Sequence, residues 1–285
     1  MAVMVWWTAL RAVSVLNGAV WALMGVTWWR SKTERDPRRR TYEELQLGLS
    51  ALFVLGCGFR SFFPWAEAPR FCLSASGISS AAIARTVATV AELALVTQWA
   101  LTMREMSLVR KVPLAFAASC LLVPLIAVAE VASWYSALTT NFIGSVVEES
   151  LWAITSGLAT VGLGALLPRY DGYRRRFIAF AMVLNVAYIG FMCIVDVPMY
   201  FGRWRADQTA GRQYLTVGQG WADAQDRRVL TRRWEDWREE VPWMSLYFST
   251  GVWISIGLAQ AATKRSRRDA REMTEPLRQL GGTAI

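Results

Sequence analysis

Arg11, Arg60, Arg85, Glu92, Glu130, the adjacent Glu148 and Glu149, and Asp196 all lie inside stretches that are otherwise long and apolar. An ionised side chain held in hydrocarbon costs several kcal/mol unless it is paired or reaches water, so charges in such places mark pathways, reacting groups or helix fasteners. Three of the eight are arginines and five are acids. If each arginine takes one carboxylate, two acids are left over, and these take up protons or hold a cation. Glu148, Glu149, Asp196 and Glu130 are the expected catalytic groups, as general acid, general base or ligand. Glu148, Glu149 and Asp196 are also the expected ligands if the surplus is met by a divalent cation. Carboxylate oxygens suit Ca²⁺, Mg²⁺ or Mn²⁺ better than zinc, although the spacing matches no known metal motif.

Spacing along helices sets which of these groups face one another. Arg85 and Glu92 are seven residues apart and share a face, with Thr89 close to it and Gln98 further along. Glu148 and Glu149 point about 100° apart, so one can serve a cavity while the other pairs with Arg60 or Arg11. Asn185 and Asp196, eleven residues apart, fall on nearly the same face, and Pro198 should kink or end the helix just beyond the acid. Together with Asn17, the residues Arg11, Arg60, Arg85, Glu92 and Asn185 make an expected substrate or ion pathway. A purely structural role remains open, because buried Arg and Glu can simply fasten helices where Gly157, Gly162 and Gly164 allow close approach.

The elements that must position these groups are membrane helices. The chain has 285 residues, 54% of them hydrophobic, with a mean hydropathy of +0.27, and the apolar residues are gathered in long blocks. A span needs about 20 apolar residues. The blocks run over 3–29, 43–64, 75–103, 112–135, 142–167, 177–203 and 242–263, which predicts an all-α bundle of seven transmembrane helices, residues 1–263 forming one domain and 264–285 a basic tail. The first block is too long for a secretory signal and carries Arg11.

Segments 30–42, 104–111, 168–176 and the tail from Lys264 hold 19 of the 31 Lys and Arg. By the positive-inside rule the N-terminus is outside and the C-terminus inside, with the plasma (inner) membrane as the expected location. The net charge of +9 is then mostly a topology signal, and basic runs such as Arg174, Arg175 and Arg176 suit anionic lipid headgroups rather than nucleic acid. Arg60, Glu130, Glu148, Glu149, Asp196 and Arg11 are expected in the outer third of the membrane, Arg85 near the midplane and Glu92 deeper.

Between the sixth and seventh blocks, residues 204–241 set tryptophans among dense charge of both signs. Leu230, Trp234, Trp237 and Val241 step at i, i+4, i+7 and i+11, which predicts an amphipathic helix on the outer surface, with Trp234 and Trp237 in a lid. Tryptophans near span ends, such as Trp28, Trp65 and Trp243, read as interfacial belts.

Several chemistries are excluded. Histidine is absent, which removes histidine-ligated haem, Ser-His-Asp hydrolysis and histidine relays. A retinal Schiff base needs a lysine in the middle of the last span, and the span 243–263 has none, with Lys32, Lys111 and Lys264 all at cytoplasmic edges. Four scattered cysteines give no metal motif, and Cys57, Cys72 and Cys193 could supply at most one disulfide. The function classes that remain are a membrane-embedded enzyme acting on a lipid or amphiphile, an ion or proton translocator, and a structural subunit. The expected partners are membrane lipids, an amphiphilic ligand, and further copies or a larger membrane complex.

Overall fold

The computed structural model describes residues 2–30, 37–74 and 76–262, apart from the side chain of Arg38. Lys32, Lys264 and the 264–285 tail lie outside the described residues. Six helices are long and apolar enough to cross a membrane: Ala2–Arg30, Arg39–Phe62, Ala81–Arg110, Pro113–Thr139, Ile143–Arg169 and Gly172–Thr209. The chain is an integral membrane protein. Its bundle turns apolar side chains outward, with Val5, Leu23, Leu55, Val131, Val183 and Ile194 all largely exposed, as a lipid solvent demands and water would penalise.

In chain order the elements are α1 (Ala2–Arg30), α2 (Pro37–Phe62), strands β1 (Trp65–Ala66) and β2 (Phe71–Cys72), α3 (Ala81–Arg110), α4 (Pro113–Thr139), α5 (Ile143–Leu166), α6 (Gly172–Phe191) and α7 (Val197–Thr209). After them come α8 (Val217–Asp226), β3 (Val229–Leu230), α9 (Trp234–Trp237) and α10 (Val241–Leu246), whose helix continues to residue 262. Successive long helices alternate in direction. One end of the bundle, the basic end, therefore gathers Arg30, Arg39, Arg40, Arg110, Lys111 and Arg169, and the other, the loop end, gathers the three short strands and α8.

Local chemistry fixes the helix limits. Ser80 accepts a bond from the Ile83 amide at 3.2 Å and starts α3 at Ala81, six residues later than the apolar block predicts. Lys111 and Thr140 take left-handed backbone (φ 53° and 60°) and return their amides to the ends of α3 and α4. The helix does not end at Pro198 but runs on to Thr209. A π turn over Met192–Asp196 precedes the proline within the same continuous helix and leaves it in the first turn of α7.

Two cores meet at α3. Leu95 packs with Trp7, Phe53, Trp237 and Phe248 between α1, α2 and the 241–262 helix, and its neighbour Val96 packs with Leu122, Ile126, Trp152 and Ile178 among α4, α5 and α6. Helix α6 buries Ile178 alone and packs chiefly on α5. Of the predicted small-residue contacts, Gly162 is close, since a Cβ there would sit 2.6 Å from Met103 Sδ, while Gly157 faces open space and Gly164 makes ordinary contact.

The 204–241 loop departs from the predicted single amphipathic helix. Leu230 lies in β3, which runs parallel to β2 with Cys72 opposite Leu230, and β1 pairs antiparallel with β2. Between Leu230 and Val241 helix is limited to α9, one turn. Trp237 is fully buried, 6.2 Å from the Trp6 ring, and donates to Thr231 O at 3.0 Å. The apolar spacing thus reflects anchoring of separate segments on α1 and β2. The helix that the loop does form, α8, has a capping box of Thr216 and Gln219. All four cysteines are free, so Cys57, Cys72 and Cys193 form no disulfide.

Candidate functional site

Arg85 stands five residues into α3 and is 4% exposed. Its Nη2 lies 2.9 Å from Glu130 of α4 and 3.2 Å from Glu92, two turns along the same face of α3. Its Nη1 lies 3.2 Å from Glu148 of α5 and 3.7 Å from Glu67, in the turn between β1 and β2, and donates to the Ser133 hydroxyl. Arg60, at the end of α2, holds the other oxygen of Glu67 at 3.0 Å. Thr89 donates to Glu130 Oε2 at 2.6 Å and receives the Trp134 indole N–H at 3.1 Å.

Two arginines thus face four glutamates. With every group ionised the centre carries two negative charges in excess, in a setting where uncompensated charge is expensive. Glu92 Oε2 and Glu130 Oε1 are buried without a hydrogen-bond partner, as are the Nε atoms of Arg85 and Arg60. The Glu92 and Glu130 carboxyl groups lie within hydrogen-bond reach of each other, so these oxygens are completed by a shared proton or by a ligand.

A second acidic face adjoins the first. Glu148 points to Arg85, so the half-buried Glu149, about 100° around α5, faces the other way. Asp196 closes the π turn and is 5% exposed; its side chain makes no hydrogen bond or ion pair among the described residues, and its carboxylate oxygens are not among the fully buried atoms without a partner. Arg203 of α7 holds Glu240 at 3.2 Å and Glu239, and stacks over Phe142 and Tyr200 at 5.5 Å from each ring.

The remaining predicted residues are placed as follows. Arg85 lies about 6 Å into its helix, nearer the loop end than the midplane, because α3 begins at Ala81. The partner of Glu148 is Arg85, not Arg60 or Arg11. Arg11 is half-buried and stacks on Trp7 at 4.3 Å, outside the cluster. Asn17 donates to the Phe248 carbonyl at 3.0 Å, one of the carbonyls loosened by the π turn over Tyr247–Gly251. Asn185 bonds back to Ala181 of its own helix at 2.9 Å. The π turn adds a residue to the register and rotates Asp196 about 100° away from the face of Asn185. Trp234 is largely exposed, and Trp237 is packed inside rather than free to move as a lid. Among the described residues, no group of three or more His, Cys, Asp or Glu side chains is arranged to hold a metal ion; the position between Glu92, Glu130 and Glu148 belongs to Arg85.

Sequence reasoning missed Glu67 and Arg70. Arg70, 1% exposed with φ 63°, bonds Asp223 of α8 at 2.8 Å and the carbonyls of Glu67 and Ala137, each at 2.6 Å. It fixes the turn that aims Glu67 at the two arginines. The available signal was an acid in a short loop directly after the intramembrane Arg60. Comparison with protein-family models, curated proteins and solved structures finds no match.

Proposed function

We propose that the acid-arginine centre is the working site of a membrane-embedded enzyme that acts on a lipid or other amphiphile. The observation that carries this reading is the surplus of carboxylates around Arg60 and Arg85, two of whose buried oxygens have no partner. Ion pairs that merely fasten helices gain by being matched, since each unmatched buried charge costs several kcal/mol; a surplus kept at that cost needs a ligand or a proton to complete it. Glu148 and Glu130 are the proposed acid and base, held by Arg85 and, for Glu130, Thr89. In this reading Arg85 positions them, and Arg60 positions Glu67.

The same proposal takes the 241–262 helix as a seventh span, about 33 Å long by its residue count, with the N-terminus outside and the basic end facing the cytoplasm of the plasma membrane. The site then lies in the outer part of the bilayer under the β1 to β2 turn and α8. Labelling of single cysteines placed at residue 2 and in the 168–171 turn with an impermeant reagent tests the orientation.

The test of the activity is incubation of the purified chain with a total membrane lipid extract, read by mass spectrometry. A lipid consumed by the wild type and spared by folded Glu148→Gln and Glu130→Gln variants supports the proposal; equal lipid profiles in all three refute it. One observation favours proton or ion translocation as a second reading. Gln46, Gln98, Ser50 and Ser255 form a buried hydrogen-bonded network further down the bundle, and Arg39 with Glu105 continues the polar line to the basic end. Proton flux into vesicles, abolished by Glu92→Gln, would decide for that reading.

A further inference from the structure

We infer that Glu92 and Glu130 form a proton-holding pair, one proton bridging Glu92 Oε2 and Glu130 Oε1. This deepens the enzyme reading above by assigning the acid of the reaction to this pair and the base to Glu148, and those two roles rest on that reading.

Three observations converge. First, the two carboxyl groups meet at a single nitrogen, Arg85 Nη2, which lies 2.9 Å from Glu130 Oε2 and 3.2 Å from Glu92 Oε1. That nitrogen donates a hydrogen bond to Glu130, whereas Glu92 accepts none among the described residues and has only the ionic contact. Second, the oxygens left over are one on each acid: Glu92 Oε2 and Glu130 Oε1 are buried without a partner, and the two groups are within hydrogen-bond reach. Glu130 Oε2, by contrast, takes the Arg85 N–H and the Thr89 hydroxyl, the latter at 2.6 Å. The Trp134 indole N–H donates to the same Thr89 oxygen at 3.1 Å, so the Thr89 proton is directed to Glu130. A proton on Glu130 Oε2 would displace these donors, and a proton between the free oxygens displaces none.

Third, the other two acids of the centre are served. Glu67 has Arg60 at 3.0 Å and Arg85 at 3.7 Å, and Glu148 accepts from Arg85 Nη1 at 3.2 Å. The charge that two arginines cannot match therefore falls on Glu92 and Glu130, and two ionised carboxylates at one site repel until one takes a proton. The bridging proton reduces the excess of the centre from two negative charges to one, which is left for a ligand to meet. Moving it from Glu92 Oε2 to Glu130 Oε1 breaks one O–H bond, makes another and leaves the net charge unchanged, so either acid can hold it. Glu130 is the member that hands it on. Its partner Thr89 and the Trp134 that orients it are half-buried, and the adjacent Val131 is 71% exposed, which puts Glu130 close to the membrane-facing side of α3 and α4. Glu148, already bonded to Arg85, stays ionised and able to accept.

The test is infrared spectroscopy of the full chain in mild detergent at pH 7, with the glutamate carboxyl carbons isotopically labelled so that their bands separate from those of aspartate. An ordinary glutamate is ionised at that pH, so a label-shifted C=O stretch of a protonated carboxyl marks a held proton. The wild type should show such a band. Glu92→Gln and Glu130→Gln should each remove it from the difference spectrum and leave the carboxylate stretch unchanged, because the acid that remains keeps the negative charge. Any protonated glutamate elsewhere in the chain is common to all three proteins and cancels. Thr89→Val frees Glu130 Oε2 and should shift the same band; it stands in if the amide variants do not fold, and an unshifted band then overturns the pair. A wild type without the band overturns it in every case, as does a band kept by either folded amide variant. The two readings fail separately. The band without consumption of any lipid would remove the enzyme reading and leave the proton pair. Lipid consumption by a protein without the band would remove the pair and leave the enzyme.

Discussion

Replacing Arg85 with glutamine removes the one cation that touches all three intramembrane glutamates of the centre. Its guanidinium lies 2.9 Å from Glu130 and 3.2 Å from both Glu92 and Glu148. At an effective dielectric constant near 20, each such contact is worth roughly 5 kcal/mol before desolvation and repulsion among the acids are counted. Those opposing terms are large, and breaking a buried ion network by deleting one partner costs about 3 to 5 kcal/mol net. Glu148→Gln is the matched control: it removes one member of the surplus and keeps an oxygen for Arg85 Nη1, so its cost should stay within about 1 kcal/mol. Thermal unfolding in mild detergent, followed by tryptophan fluorescence, should show the Arg85→Gln midpoint lowered on the order of 10 °C and Glu148→Gln within a few degrees of the wild type. Equal stability of Arg85→Gln and wild type would refute the reasoning. So would a Glu148→Gln loss as large as that of Arg85→Gln, because every acid would then be needed and there would be no surplus.

Burial pushes the Cys72 thiol above its ordinary range, an effect that neighbouring Arg228 opposes but does not cancel; at pH 8 a permeant maleimide should therefore spare Cys72 in the folded protein and modify it after denaturation, and equal labelling in both states would contradict its burial. A Cβ at Gly220 would meet the Leu138 carbonyl oxygen at 2.0 Å, so Gly220→Ala should displace α8 at a cost of about 1 to 3 kcal/mol and speed trypsin cleavage at Arg227 and Arg228; an unchanged digestion rate would count against the close packing of α8 on α4. Asn17→Leu leaves the Phe248 carbonyl without its donor and should cost about 1 kcal/mol, seen as a midpoint lowered by a few degrees, with no fall if water or another group takes over the bond.

The sequence made the membrane helices and the charged residues visible because both are local properties: a run of apolar residues needs no partner to be recognised, and a charge inside it stands out. Partners depend on how helices rotate against each other, and there the reading was weaker. Arg85, Glu92, Glu130 and Glu148 were all singled out, but Arg85 was not assigned to Glu148 because α3 was started too early, before the Ser80 cap. Glu67 escaped notice since a loop acid looks solvated until Arg70, bonded to Asp223 more than 150 positions away, folds the turn over the bundle. The face of Asp196 was misjudged because regular helical spacing cannot anticipate a π turn. Leu230, Trp234 and Trp237 imitate a helical stripe, yet parallel pairing of β3 with β2 is a long-range choice that local spacing does not record.

The central claim is that the buried acids are completed by a ligand and are not a closed brace. Native mass spectrometry of the chain, released from detergent after stepwise removal of loosely held lipid, tests it most directly, with the Glu148→Gln, Asp196→Asn double variant run beside the wild type after its fold is verified. A ligand site predicts one amphiphile retained by the wild type near one per chain and absent from the variant. Retention of nothing by either protein, or of the same lipids in equal amounts by both, would contradict it.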